Sequence, residues 1–183
     1  MNWFREFESR DKEIFWRGFT PIRDDEIQDI EKKIGRSLPN DFRAFLLKFG
    51  CGYFPEPFGG EIYSPDMIVD SIGVPIYYVI GSMTPGKEWA TASQHRDLWL
   101  TKGMKNPNPK KFTDSIFNFH GMSLLNFLQI GSDGMAGYQM LNLDESSPTQ
   151  YLVISESSQI SFASSSFQEG IIKLTDWYSI EDE

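Results

Sequence analysis

Apolar residues in the first 35 positions recur at helical spacing. A loose apolar face ahead of Gly18 predicts a helical N-terminal extension over residues 1–20. A clearer stripe follows Pro21, where three isoleucines lie on one helix face, namely Ile27, Ile30 and Ile34. Asp24 is a candidate N-cap for this helix, and Gly35 lies where a glycine commonly ends one. This stretch therefore predicts an amphipathic helix that ends at Gly35.

A second stripe predicts a core helix between Leu38 and Gly50. Pro39 suits the first helical position, because proline there gives up no hydrogen bond that the helix would use. The apolar side chains that follow are Phe42, Phe45, Leu46 and Phe49. They span about 100° of the helix surface, which is typical of a face packed on a core.

The middle of the chain, residues 51–112, is the least regular. A loop rich in glycine and proline opens it, and apolar stretches at residues 61–69 and 74–80 predict two strands. Residues 87–101 predict a helix. Arg96 and four lysines against one aspartate give residues 96–111 a local charge of +4, which we interpret as a solvent-exposed loop.

The spacing of apolar residues changes to that of strands after residue 124. Four short stretches separated by turn-forming residues predict an antiparallel meander. They cover residues 124–130, 138–143, 151–155 and 159–162. Ser166 and Glu169 then match a capping box at the start of a final amphipathic helix. We therefore expect one two-layer α+β domain over residues 1–183, with N-terminal helices and a C-terminal helix packed on a mainly antiparallel β-sheet.

The length and the charge of the chain limit the functions that it can have. A chain of 183 residues is long enough for one domain with a substantial core. Its 17 basic and 26 acidic residues give a net charge of −9. Residues 112–183 hold ten acidic residues and one basic residue, Lys173, so they carry the whole imbalance. Such a field repels nucleic acid and anionic membranes, and it attracts a basic partner.

The sequence offers little for catalysis or for binding a metal or cofactor. Cys51 is the only cysteine, which excludes a disulfide within the chain, and the two histidines are far apart in sequence. Residues 131–137, a stretch rich in glycine, lack the Lys-Ser/Thr of a phosphate-binding loop, so we interpret them as a hairpin turn. We predict no catalytic residue, no metal and no cofactor, and we expect no enzyme. An enzyme of unknown chemistry is a third hypothesis, and convergence of Cys51, His95 and His120 in a cleft would favour it.

The N-terminus and the apolar stretches indicate where the protein acts. The first residues alternate charged and aromatic side chains and do not resemble a signal peptide. Nothing later approaches the 18 consecutive apolar residues of a membrane-spanning helix. Together with the single cysteine, this predicts a cytoplasmic protein that does not bind membranes.

Several motifs, taken in order, resemble the SUKH superfamily, the Smi/Knr-type proteins. The N-terminal signature of that family is matched by Asp24-Asp25-Glu26-Ile27, Ile30-Glu31, Ile34-Gly35, Leu38-Pro39, Asp41-Phe42, Phe45-Leu46 and Phe49-Gly50. Residues 127–137 look like the family's central hairpin, and Ser166-Phe167 looks like the start of its closing helix. The chain departs from the pattern where Phe49-Gly50-Cys51-Gly52 replaces Asn-Gly-Gly, and where Tyr138 replaces a frequent acidic residue.

This resemblance implies an α+β fold without a known catalytic centre. Bacterial members are mostly immunity proteins that bind and neutralise a partner toxin, often a nuclease, encoded beside them. Fungal members are scaffolds with disordered flanks, and the lack of long disordered arms here favours the bacterial type. The leading hypothesis is a cytoplasmic immunity protein whose acidic C-terminal segment steers a basic toxin. The alternative is a regulatory or scaffold protein of the Smi/Knr type that binds several partners weakly.

The leading hypothesis suggests a set of partner-binding residues. Carboxylates could take the place of phosphates if the toxin is a nuclease, and exposed aromatic side chains could anchor the contact. The carboxylate candidates are Asp133, Asp144, Glu145 and Glu156. The aromatic candidates are Tyr53, Phe54 and Tyr138. The sequence predicts no particular oligomeric state.

Overall fold

In the described part of the chain, two helices come first, a third follows the second strand, and a fourth comes last. The computed structural model describes residues 4–5, 18–54, 60–72, 118–135, 137–155 and 159–179. For residues 177–179 it describes the backbone only. The helices are α1 (Asp24–Ile34), α2 (Asn40–Lys48), α3 (Pro65–Asp70) and α4 (Phe167–Ser179). The strands are β1 (Gly52–Tyr53), β2 (Glu61–Ile62), β3 (Asn118–Phe119), β4 (Met122–Ser123), β5 (Phe127–Ser132), β6 (Gly137–Asn142), β7 (Tyr151–Ser155) and β8 (Ile160–Ser164).

The central feature is a six-stranded antiparallel sheet with the order β1-β2-β5-β6-β7-β8. Its last four strands form the predicted meander, in which each strand pairs with the next one along the chain. β3 and β4 form a separate hairpin. Beside β1, the Thr20 N–H donates to the Cys51 carbonyl at 2.9 Å, and the Cys51 N–H donates back to the Thr20 carbonyl at 3.2 Å. The chain thus covers part of this sheet edge itself.

Helices α2 and α4 meet the sheet at one buried aromatic cluster. The ring centroid of Phe167, at the start of α4, lies 4.8 Å from that of Phe42 and 5.2 Å from that of Phe45. It also lies 5.6 Å from the ring of Tyr151 in β7. Edge-to-face contacts of this kind add to the free energy of simple apolar burial. The predicted α+β arrangement of helices on an antiparallel sheet is therefore confirmed.

Helix α1 begins one residue earlier than its sequence suggested. Arg23, not Asp24, is the N-cap, and the Arg23 backbone N–H donates to Glu26 Oε2 at 3.0 Å. The acid in the first helical turn therefore supplies the capping acceptor, and the N-cap side chain does not. Gly35 ends the helix as predicted, because its φ of 69° is a conformation that side chains disfavour.

The starts of α2 and α4 also differ slightly from the predicted ones. Helix α2 begins at Asn40, so Pro39 precedes the helix and does not occupy its first position. The predicted capping box of α4 is half formed. The hydroxyl of Ser166 accepts a hydrogen bond from the Glu169 N–H at 3.0 Å, whereas the Glu169 carboxylate accepts from the N–H and hydroxyl of Ser165.

The strand predicted for residues 61–69 is wrong over most of its length. Only Glu61–Ile62 is extended, and Pro65–Asp70 forms α3. The Ser64 hydroxyl accepts a hydrogen bond from the Met67 N–H at 3.5 Å, and Pro65 lies in the first helical turn. This Ser-Pro start is a local helix signal that overrides the strand preference of the apolar residues.

The first strand of the meander starts later than predicted. Leu124–Asn126 form a 3-10 turn, in which the Ser123 hydroxyl accepts a hydrogen bond from the Leu125 N–H at 3.3 Å. β5 begins only at Phe127. The predicted strand at residues 74–80, the helix at 87–101, the basic stretch 96–111 and most of the N-terminal extension lie outside the described residues.

Two acidic residues of the N-terminal signature join the helices. Glu31 accepts a hydrogen bond from the Leu38 N–H at 2.9 Å and pairs with Arg43 at 2.7 Å, which links α1 to α2. Asp41 accepts a hydrogen bond from the Gln168 N–H at 2.9 Å, so a carboxylate of α2 caps the N-terminus of α4. These signature residues therefore serve the fold.

Candidate functional site

The described residues do not assemble a metal centre or a reactive thiol. No three metal-ligating side chains cluster in the part of the chain that the structure describes. Burial raises the pKa of the Cys51 thiol, which disfavours the nucleophilic thiolate. His120 is exposed at the turn between β3 and β4 with its ring against Phe119, and His95 lies outside the described residues. Among the same residues, no helix is long and apolar enough to span a bilayer.

The stretch from Gly131 to Gly137 is a hairpin turn, as predicted. It joins β5 to β6, and Gly134 at its tip has a φ of 77°. Asp133 is only 4% exposed, and its Oδ1 accepts hydrogen bonds from the Met135 N–H at 2.9 Å and the Gly137 N–H at 2.7 Å. The Asp133 carboxylate is therefore buried and organises the turn, and its role as a partner contact stays a prediction.

Tyr53 and Phe54 point in different directions, although both were expected to be exposed. Tyr53 is 64% exposed, whereas Phe54 is 2% exposed and its ring lies 5.0 Å from that of Phe19. Successive side chains of an extended chain alternate between its two sides, so only one of the two aromatics can face solvent here. Exposure is confirmed for Tyr53, and the expectation for Phe54 is wrong.

The remaining carboxylate candidates differ in how freely they face solvent. Asp144 is half-buried in the turn after β6, where its Oδ1 accepts hydrogen bonds from the Ser146 N–H at 3.0 Å and the Ser146 hydroxyl at 2.7 Å. Burial lowers the pKa of Arg36, and the charge of Asp144 offsets part of this shift. Glu145 is exposed at the same turn, and Glu156 lies outside the described residues. Glu145 is therefore the candidate that presents its charge most openly.

Cross-strand pairing brings two aromatic candidates onto one row of the sheet. Tyr53 of β1 pairs with Glu61 of β2, and Glu61 pairs with Ser132 of β5. Ser132 in turn pairs with Tyr138 of β6. Residues that pair directly across antiparallel strands project to the same face. Tyr53, Glu61, Ser132 and Tyr138 therefore form a continuous line across four strands, which we call the tyrosine row.

The tyrosine row combines aromatic rings with a carboxylate. Tyr53 is exposed, and the other three members are half-buried. At about 4.8 Å between neighbouring strands, the two tyrosines lie roughly 14 Å apart along the row. Met135, which is 57% exposed at the β5–β6 turn, adds an apolar side chain near its Ser132–Tyr138 end. The row thus offers apolar, hydroxyl and acidic groups within one short surface.

A buried glutamine holds the backbone beneath the row. Gln139 Nε2 donates hydrogen bonds to the Glu61 carbonyl at 3.1 Å and to the Ser132 carbonyl at 2.6 Å. Its Oε1 accepts a hydrogen bond from the Tyr151 hydroxyl at 2.8 Å. Gly131 lets the backbones of β2 and β5 lie close together, because a Cβ at this position would overlap the Glu61 carbonyl oxygen. The side chains of the row therefore stand on a fixed backbone.

Sequence reasoning missed Glu61 and Ser132. The alternation of Glu61 with the apolar Ile62 signals that Glu61 faces away from the core. Its alignment with Ser132 depends on a pairing between strands about 70 positions apart, which no local pattern reveals. Met135 was likewise not selected, because its exposure follows from the geometry of the turn.

A comparison with known protein families finds a match that covers most of the described fold. The family model described as the SMI1 / KNR4 family (SUKH-1) matches residues 21–173. The matched region runs from just before α1 into α4, and it includes all four strands of the tyrosine row. Searches of curated proteins and of solved structures found no match.

Proposed function

The chain belongs to the SMI1 / KNR4 family (SUKH-1), which confirms the resemblance of its motifs, and we propose that it is a non-catalytic immunity protein that binds and neutralises a cognate bacterial toxin. The observation that carries this proposal is the family match over residues 21–173. The family is consistent with toxin immunity or with the Smi/Knr type of regulator, and in general it implies a protein partner.

The tyrosine row supports this proposal as a contact surface. Tyrosine is enriched among the few residues that dominate the free energy of protein binding, and methionine is enriched in interfaces. Tyr53 and Met135 are both more than half exposed. Because the row stands on paired strands, binding there orders little backbone and loses little conformational entropy.

The charge of the chain supports a basic partner. A net charge of −9 speeds encounter with a basic protein and disfavours nucleic acid as a ligand. Glu145, exposed at the β6–β7 turn, contributes to this field without an ion pair to any described residue. We propose that the encounter takes place in the cytoplasm, where a nuclease toxin would reach its substrate.

Coexpression with the protein encoded by the adjacent gene tests the function. If that protein is the toxin, it should arrest growth when expressed alone, and the present chain should restore growth and copurify with it. Tyr53→Ala should weaken the complex about tenfold, as expected for an aromatic contact worth 1–2 kcal/mol. Met67→Ala is the matched control, because Met67 is also exposed but lies on α3, outside the row.

The outcome separates the two functions that the family allows. Failure to restore growth, together with failure to copurify, would reject toxin neutralisation by this pair. Copurification of several unrelated proteins at low affinity, without any protection from a toxin, would favour the regulatory or scaffold function instead. Binding to a single basic toxin should slow markedly as ionic strength rises, because salt screens the attraction.

A further inference from the structure

We propose that the Tyr53–Glu61 end of the tyrosine row is a socket for one arginine side chain of the protein partner, with the Glu61 carboxylate as its anion and the ring of Tyr53 as its wall. The identity of the partner rests on the proposed function. The chemistry of the socket rests on the pairing, burial and charge of these residues alone.

Glu61 is a half-buried carboxylate without a cation. No described residue forms an ion pair or a side-chain hydrogen bond with its carboxylate, whereas its backbone carbonyl accepts a hydrogen bond from Gln139 Nε2. Partial burial removes water from a charged group, so such a group gains from a cation that replaces the lost hydration. Glu61 therefore favours a positively charged ligand on this face.

Several other carboxylates on the described surface already have cations. Asp29 pairs with Lys33 at 2.7 Å on α1, and Glu169 pairs with Lys173 at 2.7 Å on α4. Glu31 pairs with Arg43 between α1 and α2. A cation from a partner would have to displace these side chains, whereas at Glu61 it meets no such competitor.

The tyrosine ring beside Glu61 favours a cation that can also stack on an aromatic face. Directly paired residues have Cβ atoms about 4.5–5.5 Å apart, so the Tyr53 ring is an immediate neighbour of the Glu61 carboxylate. A cation held over a tyrosine ring is attracted by the ring face, and more strongly the further it is desolvated. The same cation can thus contact an aromatic face and a carboxylate at once.

The shape of the cation decides which basic side chain suits Tyr53 and Glu61 together. Arginine fits better than lysine, because a guanidinium stacks on a ring while donating two hydrogen bonds to one carboxylate.

The socket can be tested without the toxin. Nuclear magnetic resonance would follow the backbone amides of Glu61, Ser132 and Tyr138 while N-acetyl-arginine methylamide is added. The corresponding citrulline compound is a neutral probe of the same shape, and the lysine compound is a cation without the planar group. We expect saturable shifts with the arginine probe, weaker ones with lysine and none with citrulline.

Two variants establish which carboxylate is responsible. Glu61→Gln keeps the size of the side chain, and its folding is checked by the dispersion of the same spectrum. This variant should abolish the saturable shifts, whereas Asp70→Asn, on the exposed end of α3, should leave them unchanged. Equal shifts in Glu61→Gln, or an equal response to citrulline or lysine, would overturn the arginine socket.

The toxin then provides an independent measurement. Glu61→Gln should weaken the complex at least about tenfold, as expected when one partner of a desolvated charge pair is removed. If the toxin binds and Glu61→Gln has no effect, the socket is wrong and the immunity function stands. If no toxin is neutralised but the arginine probe still binds at Glu61, the proposed function is wrong and the socket stands.

Discussion

Replacing Asp41 by alanine tests whether one carboxylate joins α2 to α4. Asp41 Oδ2 accepts a hydrogen bond from the Gln168 N–H at 2.9 Å, and Oδ1 accepts one from the Phe42 N–H at 2.9 Å. Loss of a capping acceptor at a helix N-terminus costs about 1 kcal/mol. Loss of an acidic residue from the first turn of α2 costs roughly 0.5 kcal/mol more. We therefore expect Asp41→Ala to lower the free energy of unfolding by about 1.5 kcal/mol.

Urea denaturation followed by circular dichroism measures this loss. The midpoint should fall while the slope stays the same, because the variant should unfold from the same compact state. Asp41→Asn keeps an oxygen acceptor and should lose less stability than Asp41→Ala. Asp29→Ala is the control, since it removes an exposed carboxylate paired with Lys33 and should cost less than about 0.5 kcal/mol. Equal losses in the asparagine and alanine variants, or a loss no larger than that of the control, would refute the capping role.

Three further predictions concern the β5–β6 turn, the neighbouring residues Tyr53 and Phe54, and helix α4. Gly137→Ala should destabilise the fold by about 1–3 kcal/mol, because a Cβ there would overlap the buried turn carboxylate; unchanged hydrogen-exchange protection in β5 and β6 would contradict this. Phe54→Ala should lower the free energy of unfolding by about 3–5 kcal/mol, and Tyr53→Ala by less than about 0.5 kcal/mol; similar urea midpoints for both would show that their orientations are misassigned. The hydrogen bond from Lys173 is the main cause that lowers the pKa of Glu169 from 4.5 to about 2. Its stabilisation is therefore fully present above pH 4.5 and is lost as the pH falls towards 2, so Lys173→Met should flatten the pH dependence of the urea midpoint in that range.

Three of the four helices in the described part of the chain, α1, α2 and α4, and the meander were predictable because their signals are local. The isoleucine stripe of α1, the phenylalanine stripe of α2 and the turns between β5 and β8 each lie within a few residues of the element that they define. The error at the start of α1 came from one side chain substituting for another, because Glu26 supplies the capping acceptor that was expected from Asp24.

Prediction failed where two local signals competed. Residues 64–70 contain Ile68 and Val69, which suit a strand, but they also contain the Ser64-Pro65 start of a helix. Both apolar side chains are buried in α3, so burial alone did not distinguish the two structures. The capping hydrogen bond and the fixed φ of proline decided in favour of the helix.

The candidate site was only partly predictable, because its geometry comes from long-range pairing. Tyr53 and Tyr138 were selected from the sequence, but nothing local indicated that they share a face. Their relation depends on Glu61 lying between β1 and β5 in register. The same register places Phe54 on the other side of its strand, against Phe19. One pairing therefore explains both the residue that was missed and the one that was wrongly expected to be exposed.

The charge of the chain and the charge of the row should affect binding at different stages. Glu145 is exposed at the β6–β7 turn, so its field acts through solvent over about 8 Å at physiological salt. Glu61 is half-buried in the row, so on the proposed contact surface it should act only after contact. Glu145→Lys should therefore slow association with a basic toxin at low ionic strength, and added salt should erase the difference. Glu61→Gln should chiefly speed dissociation at every salt concentration, because a desolvated pair is little screened.

Stopped-flow association and dissociation rates, measured across ionic strength, separate the two effects. If Glu61→Gln altered only the association rate, and lost its effect in salt, Glu61 would be part of the steering field and not a contact residue.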